Sequence, residues 1–73
     1  MDGKSKEEVG KKLKERREQL KLTQRQVAEV LNVAQPVYQR FEKGVFECSY
    51  SQLAALCQFF DLSADYLLGL KDY

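Results

Sequence analysis

The stretch from Thr23 to Gly44, TQRQVAEVLNVAQPVYQRFEKG, leaves little choice of fold. It holds two short helical patterns pressed close together. Thr23 and Gln26 form a capping box, in which each side chain accepts a backbone N–H that the helix start leaves unbonded. Val27, Ala28 and Leu31 then fall on one helix face. Asn32 follows, and asparagine is the side chain that best replaces glycine in the left-handed conformation closing a helix. A second start comes at once, because Pro36 is tolerated only in a helix's first turn, where its missing N–H is not needed. Tyr38 and Phe41 face inward from there, and Gly44 is a stop. Two helices joined by about three residues must cross steeply, with a small side chain where they touch. Ala28 takes that place and Val33 fills the gap between the helices.

The flanks read as helices too. Ser5 and Glu8 repeat the capping pattern and place a first helix start near Lys6. Val9, Leu13 and Leu20 fall on its inner face, completed by the aliphatic stem of Arg17. Gly10 weakens that helix by up to about 1 kcal/mol relative to alanine, and is a candidate for close approach to another backbone. Beyond Gly44, Ser49 or Ser51 caps a fourth helix carrying Leu53, Leu56, Cys57 and Phe60 inward. Asp61 ends it, and Ser63 caps a short fifth helix with Tyr66, Leu67 and Leu70. No segment alternates at period two, so strands are not expected. The expected fold is all-α, a compact domain of five helices with the steep pair at helices two and three. Residues 1–73 make one domain, with 1–5 as a flexible N-terminal arm and 71–73 as a flexible tail.

Composition excludes several functions. The chain has no His and two Cys, which removes the usual zinc sites and every His-based triad. No metal, cofactor or catalytic residue is expected, and paired acids such as Glu7 and Glu8 lie on a charged helix face. No apolar run approaches the roughly 20 residues needed to span a bilayer. The N-terminus, MDGKSKEEVG, lacks the apolar core of a signal peptide, so the expected location is the cytoplasm, with Cys48 and Cys57 reduced. The formal net charge of +1 hides an asymmetry: residues 1–43 carry +4 and residues 44–73 carry −3. Such a division fits either a polyanion-facing side or a merely solvated charged helix.

From about Val9 to Gly69 the chain resembles the Cro/repressor-type helix-turn-helix family of bacterial and phage regulators, also called the xenobiotic-response-element family. The lead-in VGKKLKERREQLKLTQ, the turn at Asn32, the FEKG closing the third helix and the final LSADYLLG carry the likeness. The resemblance implies sequence-specific double-stranded DNA binding as a transcriptional regulator, in the manner of a repressor, with the third helix in the major groove.

Carried over position by position, Gln24 opens the second helix, where its amide and the backbone N–H groups would hold a phosphate. Arg25 either reaches a phosphate or is solvated. Gln35 and Pro36 take the exposed start of the recognition helix. Gln35 is the first choice for direct readout, since glutamine pairs bidentately with adenine N7 and N6. Pro36 offers apolar contact to a thymine methyl or serves only as a helix starter, and Val37 touches a methyl or is simply exposed. Arg40 binds guanine or a phosphate, or else pairs with a neighbouring acid. Gln39 is a weaker backbone contact, and Lys43 takes the family's phosphate position. Arg17 and Glu42 take the positions of a structural ion pair that ties the first helix to the third.

The departure from the family is the loop Val45-Phe46-Glu47-Cys48, apolar and acidic where many members carry basic residues, which implies fewer counterions released on binding. The resemblance also implies dimerisation, and Phe59, Tyr66, Leu70 and Tyr73 are the candidate surface for a weak homodimer. The competing reading keeps the fold but makes it a protein-interaction or antitoxin-like module, with Val45 and Phe46 as part of the contact.

Overall fold

The structure, a computed structural model, describes residues 3–45 and 48–69, and side chains from Lys6 onward. Five helices follow in order: α1 (Gly3–Gln19), α2 (Gln24–Leu31), α3 (Gln35–Lys43), α4 (Tyr50–Phe60) and α5 (Ala64–Leu67). No strand occurs among the described residues. Phe46, Glu47, Leu70, Tyr73 and the tail 71–73 lie outside them, so the expectations placed on those residues do too.

Local chemistry sets most boundaries. At the start of α2 the Thr23 hydroxyl accepts the Gln26 N–H at 3.1 Å, while the Thr23 N–H donates to Gln26 Oε1 at 2.7 Å. Ser49, rather than Ser51, caps α4 through the same reciprocal pair with Gln52. Ser63 caps α5 by accepting the Tyr66 N–H. α3 starts on Ala34, with no side-chain cap; Pro36 in its first turn removes one N–H that would otherwise need a partner. Asn32, Asp61 and Gly44 close α2, α4 and α3 in the left-handed conformation, each with its N–H turned back onto the last helical turn.

Two expectations for α1 are corrected. The helix begins at Gly3, ahead of the start near Lys6 that Ser5 and Glu8 suggest. Leu20, expected to face inward, is 40% exposed because the helix ends at Gln19 and the chain turns through a left-handed Lys21. Leu22, beyond that turn, packs against the core instead.

The core joins all five helices: Leu13, Val27, Ala28, Tyr38, Phe41, Leu56, Phe60 and Leu67 are buried together. α3 lies against both α1 and α2, α4 against α2, and α5 against α1 and α4. Gly10 is where α1 and α3 meet. A Cβ there would lie 2.4 Å from the Glu42 carbonyl oxygen and 2.6 Å from that of Phe41, so the close approach expected of this glycine is real.

Basic side chains of α1 fasten the far side. Arg16 Nε donates to the carbonyl of Phe60, the last residue of α4, at 2.8 Å. Lys12 Nζ donates to the Tyr66 carbonyl at 2.7 Å and stands 4.6 Å from the centre of the Tyr66 ring. Cations at helix C-termini satisfy carbonyls that have no partner within the helix. These two charges therefore serve packing, on the side of α1 that meets α4 and α5.

Candidate nucleic-acid interface

On α3, successive residues turn by about 100°. Pro36, Gln39, Arg40 and Lys43 consequently share one side, opposite Tyr38 and Phe41, which are buried in the core. Pro36, Arg40 and Lys43 are exposed and Gln39 is half-buried. Gln35 and Val37 flank that side. Val37 is half-buried and packs against the core, which leaves only part of its side chain at the surface. Arg25 is exposed in the first turn of α2, and Gln24 beside it is half-buried. The structure thus brings all eight residues to α2 and α3, with six of them on α3.

Behind this face lies a chain of polar contacts that runs through three helices. Arg17 of α1 grips Glu42 of α3 with two nitrogens, Nε to Oε2 at 2.6 Å and Nη2 to Oε1 at 3.2 Å. Its remaining Nη1 donates to the Leu22 carbonyl at 2.9 Å. Gln24 Nε2 donates to Glu42 Oε1 at 3.0 Å, and Gln24 Oε1 accepts from Gln35 Nε2 at 2.7 Å. Burial would push the Glu42 carboxyl up, but hydrogen bonds from Arg17 and Gln24 outweigh it and hold the group below its usual range. The Glu42 bond in turn raises the Arg17 guanidinium. Both groups are charged at neutral pH, and Glu42 is only 8% exposed.

The ion pair expected of Arg17 and Glu42 is present. Its extension to Gln24 and Gln35 is not predicted by the sequence and emerges only in the fold. The available signal was that α2 and α3 both open on a glutamine, at the ends that the short turn between them brings together. One consequence bears on Gln24: a glutamine amide has two N–H donors, and one is committed to Glu42. That leaves its second N–H, with the backbone N–H groups of Gln24 and Arg25, for the phosphate contact expected of this residue, since the Gln26 N–H is taken by the Thr23 cap.

Tyr38 lies on the inner side of the same cluster. Its hydroxyl is buried beside the Glu42 carboxylate, and among the described residues it has no partner in full hydrogen-bond geometry. Burial, followed by polar interaction of the hydroxyl with the Glu42 carboxylate and by the charge of that group, raises its pKa far above that of a free tyrosine. Cys48 and Cys57 are unbridged thiols, and burial pushes the Cys48 group up to about 11. Among the described residues no three His, Cys, Asp or Glu side chains converge as a metal site requires, and no helix is long and apolar enough to cross a membrane.

Two short helices, α2 and α3, joined by a three-residue turn and packed into a core shared by all five helices, define a helix-turn-helix protein, and the chain belongs to the Cro/repressor-type helix-turn-helix family, whose model, described as "Helix-turn-helix", matches residues 13–67. It is similar to two proteins of Bacillus subtilis (strain 168). One is the uncharacterized HTH-type transcriptional regulator YqaE, 41% identical over 56 residues, which cover 77% of this chain and 48% of that protein. The other is the uncharacterized HTH-type transcriptional regulator YobD, 34% identical over 61 residues, covering 84% of this chain and 54% of YobD. The chain therefore spans about half the length of the curated relatives it matches. No solved structure gives a significant match.

Proposed function

We propose that this domain binds double-stranded DNA in a sequence-specific way and acts in transcription regulation as a repressor, by occupying an operator with α3 in the major groove. The observation that carries this reading is the composition of the outward side of α3. Arg40 and Lys43 stand on it with Pro36 and Gln39, while Gln35 is held at its edge by Gln24. Nine helical residues make α3 about 13 Å long, comparable to the roughly 12 Å width of the major groove. Gln35 and Arg40 read base edges; Gln24, Arg25, Gln39 and Lys43 meet the backbone; Pro36 and the exposed part of Val37 meet thymine methyl groups. Membership of the family and similarity to two proteins named as transcriptional regulators support the same conclusion.

A single domain contacts about one half-site, so useful affinity calls for two. We assign the weak homodimer to the C-terminal end of the domain. Phe59, 39% exposed on α4, supports it. Tyr66 contributes less surface than its sequence suggests, since it is half-buried and lies under Lys12.

A second reading, a protein-interaction module, draws on the 56% exposure of Val45 directly after α3. Selection from a randomised duplex pool at near-physiological salt separates the two. A recovered palindrome bound at least about 10³-fold more tightly than scrambled duplex supports the regulator. Failure to enrich any motif, with binding lost at modest salt, favours the protein partner.

A further inference from the structure

Glu42 sits behind the DNA-facing side of α3, has no access to a base, and yet is joined to Gln35 through Gln24. We propose that Glu42 is a positioning residue which fixes the direction of both glutamine amides and thereby makes Gln35 discriminate adenine from guanine. The inference rests on the reading above, that Gln35 meets a base in the major groove.

The argument is one of donor and acceptor counting. An ionised carboxylate only accepts. Gln24 must therefore turn Nε2 toward Glu42, as it does at 3.0 Å. That places Gln24 Oε1 on the opposite side, where it takes an N–H from Gln35 at 2.7 Å. Gln35 then keeps one N–H and its carbonyl oxygen for the groove. Adenine offers N7 as an acceptor and its N6 amino group as a donor, which match that pair. Guanine offers two acceptors, N7 and O6, so one of them faces the Gln35 carbonyl.

With a neutral amide in place of Glu42 the constraint disappears. Gln24 is then able to turn over, donate Nε2 to the Gln35 carbonyl, and leave both N–H groups of Gln35 facing outward, a pattern that suits guanine. Arg17 fixes the far end of the chain, since its two bonds to Glu42 hold the carboxylate in place. Glu42 is buried, so water does not compete for the carboxylate oxygens. The specificity lies in closing off the wrong pattern, not in adding a contact.

Two variants test this, Glu42→Gln and Gln24→Met. The second leaves the Arg17–Glu42 pair intact and keeps the question open if the first fails to fold. In the free protein, NMR of the ¹⁵N-labelled side-chain amides reads the chain directly. The Gln35 amide protons are expected to shift and to exchange faster with solvent in each folded variant. An unchanged Gln35 amide overturns the proposal.

The second arm uses duplexes that differ only at the base pair read by Gln35. Wild type is expected to prefer adenine over guanine by about 5- to 150-fold, the range of one good bidentate pair. In the variants that ratio falls by about fivefold or more, while ratios at other base pairs hold, whatever happens to absolute affinity. A ratio that stays put, or that falls equally at every position, refutes the specificity role. If duplex selection enriches no motif, the DNA reading fails and takes this role with it. The amide spectra still decide separately whether Glu42 orders the two glutamines.

Discussion

Arg17 and Glu42, 25 residues apart in sequence, meet in a two-pronged ion pair with side-chain exposures of 13% and 3%. The pair ties α1 to α3 beneath the candidate interface. Removing one partner strands a buried charge, at a cost of about 3–5 kcal/mol. Arg17→Ala and Glu42→Ala are each expected to lower unfolding free energy by that amount in urea titrations. Replacing both with Met and Leu is expected to recover most of the loss, because the desolvation of two charges is relieved at once. Additive losses in the double variant would contradict this.

The same pair gives stability a pH dependence with a defined sign. Glu42 is held below the ordinary glutamate value of 4.5 in the folded protein. The unfolded chain therefore takes up its proton first as pH falls. The contribution is fully present above pH 4.5 and is lost as pH drops through the depressed folded value. Tyr38 and Arg17, which lie beside Glu42, keep their protonated forms throughout that window. Urea titrations from pH 7 to pH 3 are expected to show a fall in stability on the acid side that is reduced in Glu42→Gln.

Gly10→Ala sets helix propensity against packing. Alanine gains up to about 1 kcal/mol as a helix former. Its Cβ, however, would stand 2.4 Å from a backbone oxygen of α3, which has no flexible side chain to move aside. Overpacking of this kind costs about 1–3 kcal/mol or more. Thermal unfolding is expected to show a net loss, and a gain in Tm would mean that α1 and α3 do not touch there.

Tyr38→Phe runs the other way. The hydroxyl it removes is buried beside Glu42, without a partner in full hydrogen-bond geometry among the described residues. An unsatisfied buried polar group contributes a desolvation penalty of about 1–3 kcal/mol, so its deletion is expected to leave stability unchanged or raise it. A loss above about 1 kcal/mol would show that the hydroxyl has a partner after all.

How much of this was legible in the sequence depends on how local the physics is. The caps at Thr23 and Ser63 and the stops at Asn32, Gly44 and Asp61 involve residues within one turn of each other, and each falls where its side-chain chemistry places it. The exposure of Leu20 was not legible, because a lysine, which has no special liking for positive φ, closes α1 one residue later. Lys12 and Arg16 read as part of a basic half; only the placement of α4 and α5 shows that they satisfy the carbonyls of Tyr66 and Phe60. The link from Glu42 through Gln24 to Gln35 needs three helices in their final positions. Periodicity along one helix carries no such information.

Whether α3 is the reading element is decided by two variants, Gln35→Ala and Lys43→Ala, measured on the duplex recovered by selection and on variants of it at each position. If α3 enters the major groove as described, Gln35→Ala relaxes preference at one base pair per half-site, at a cost of about 1–3 kcal/mol. Lys43→Ala weakens binding to every sequence alike and lowers the salt slope by about 1. Should Gln35→Ala instead weaken all sequences equally, or neither variant change binding, α3 is not the reading element.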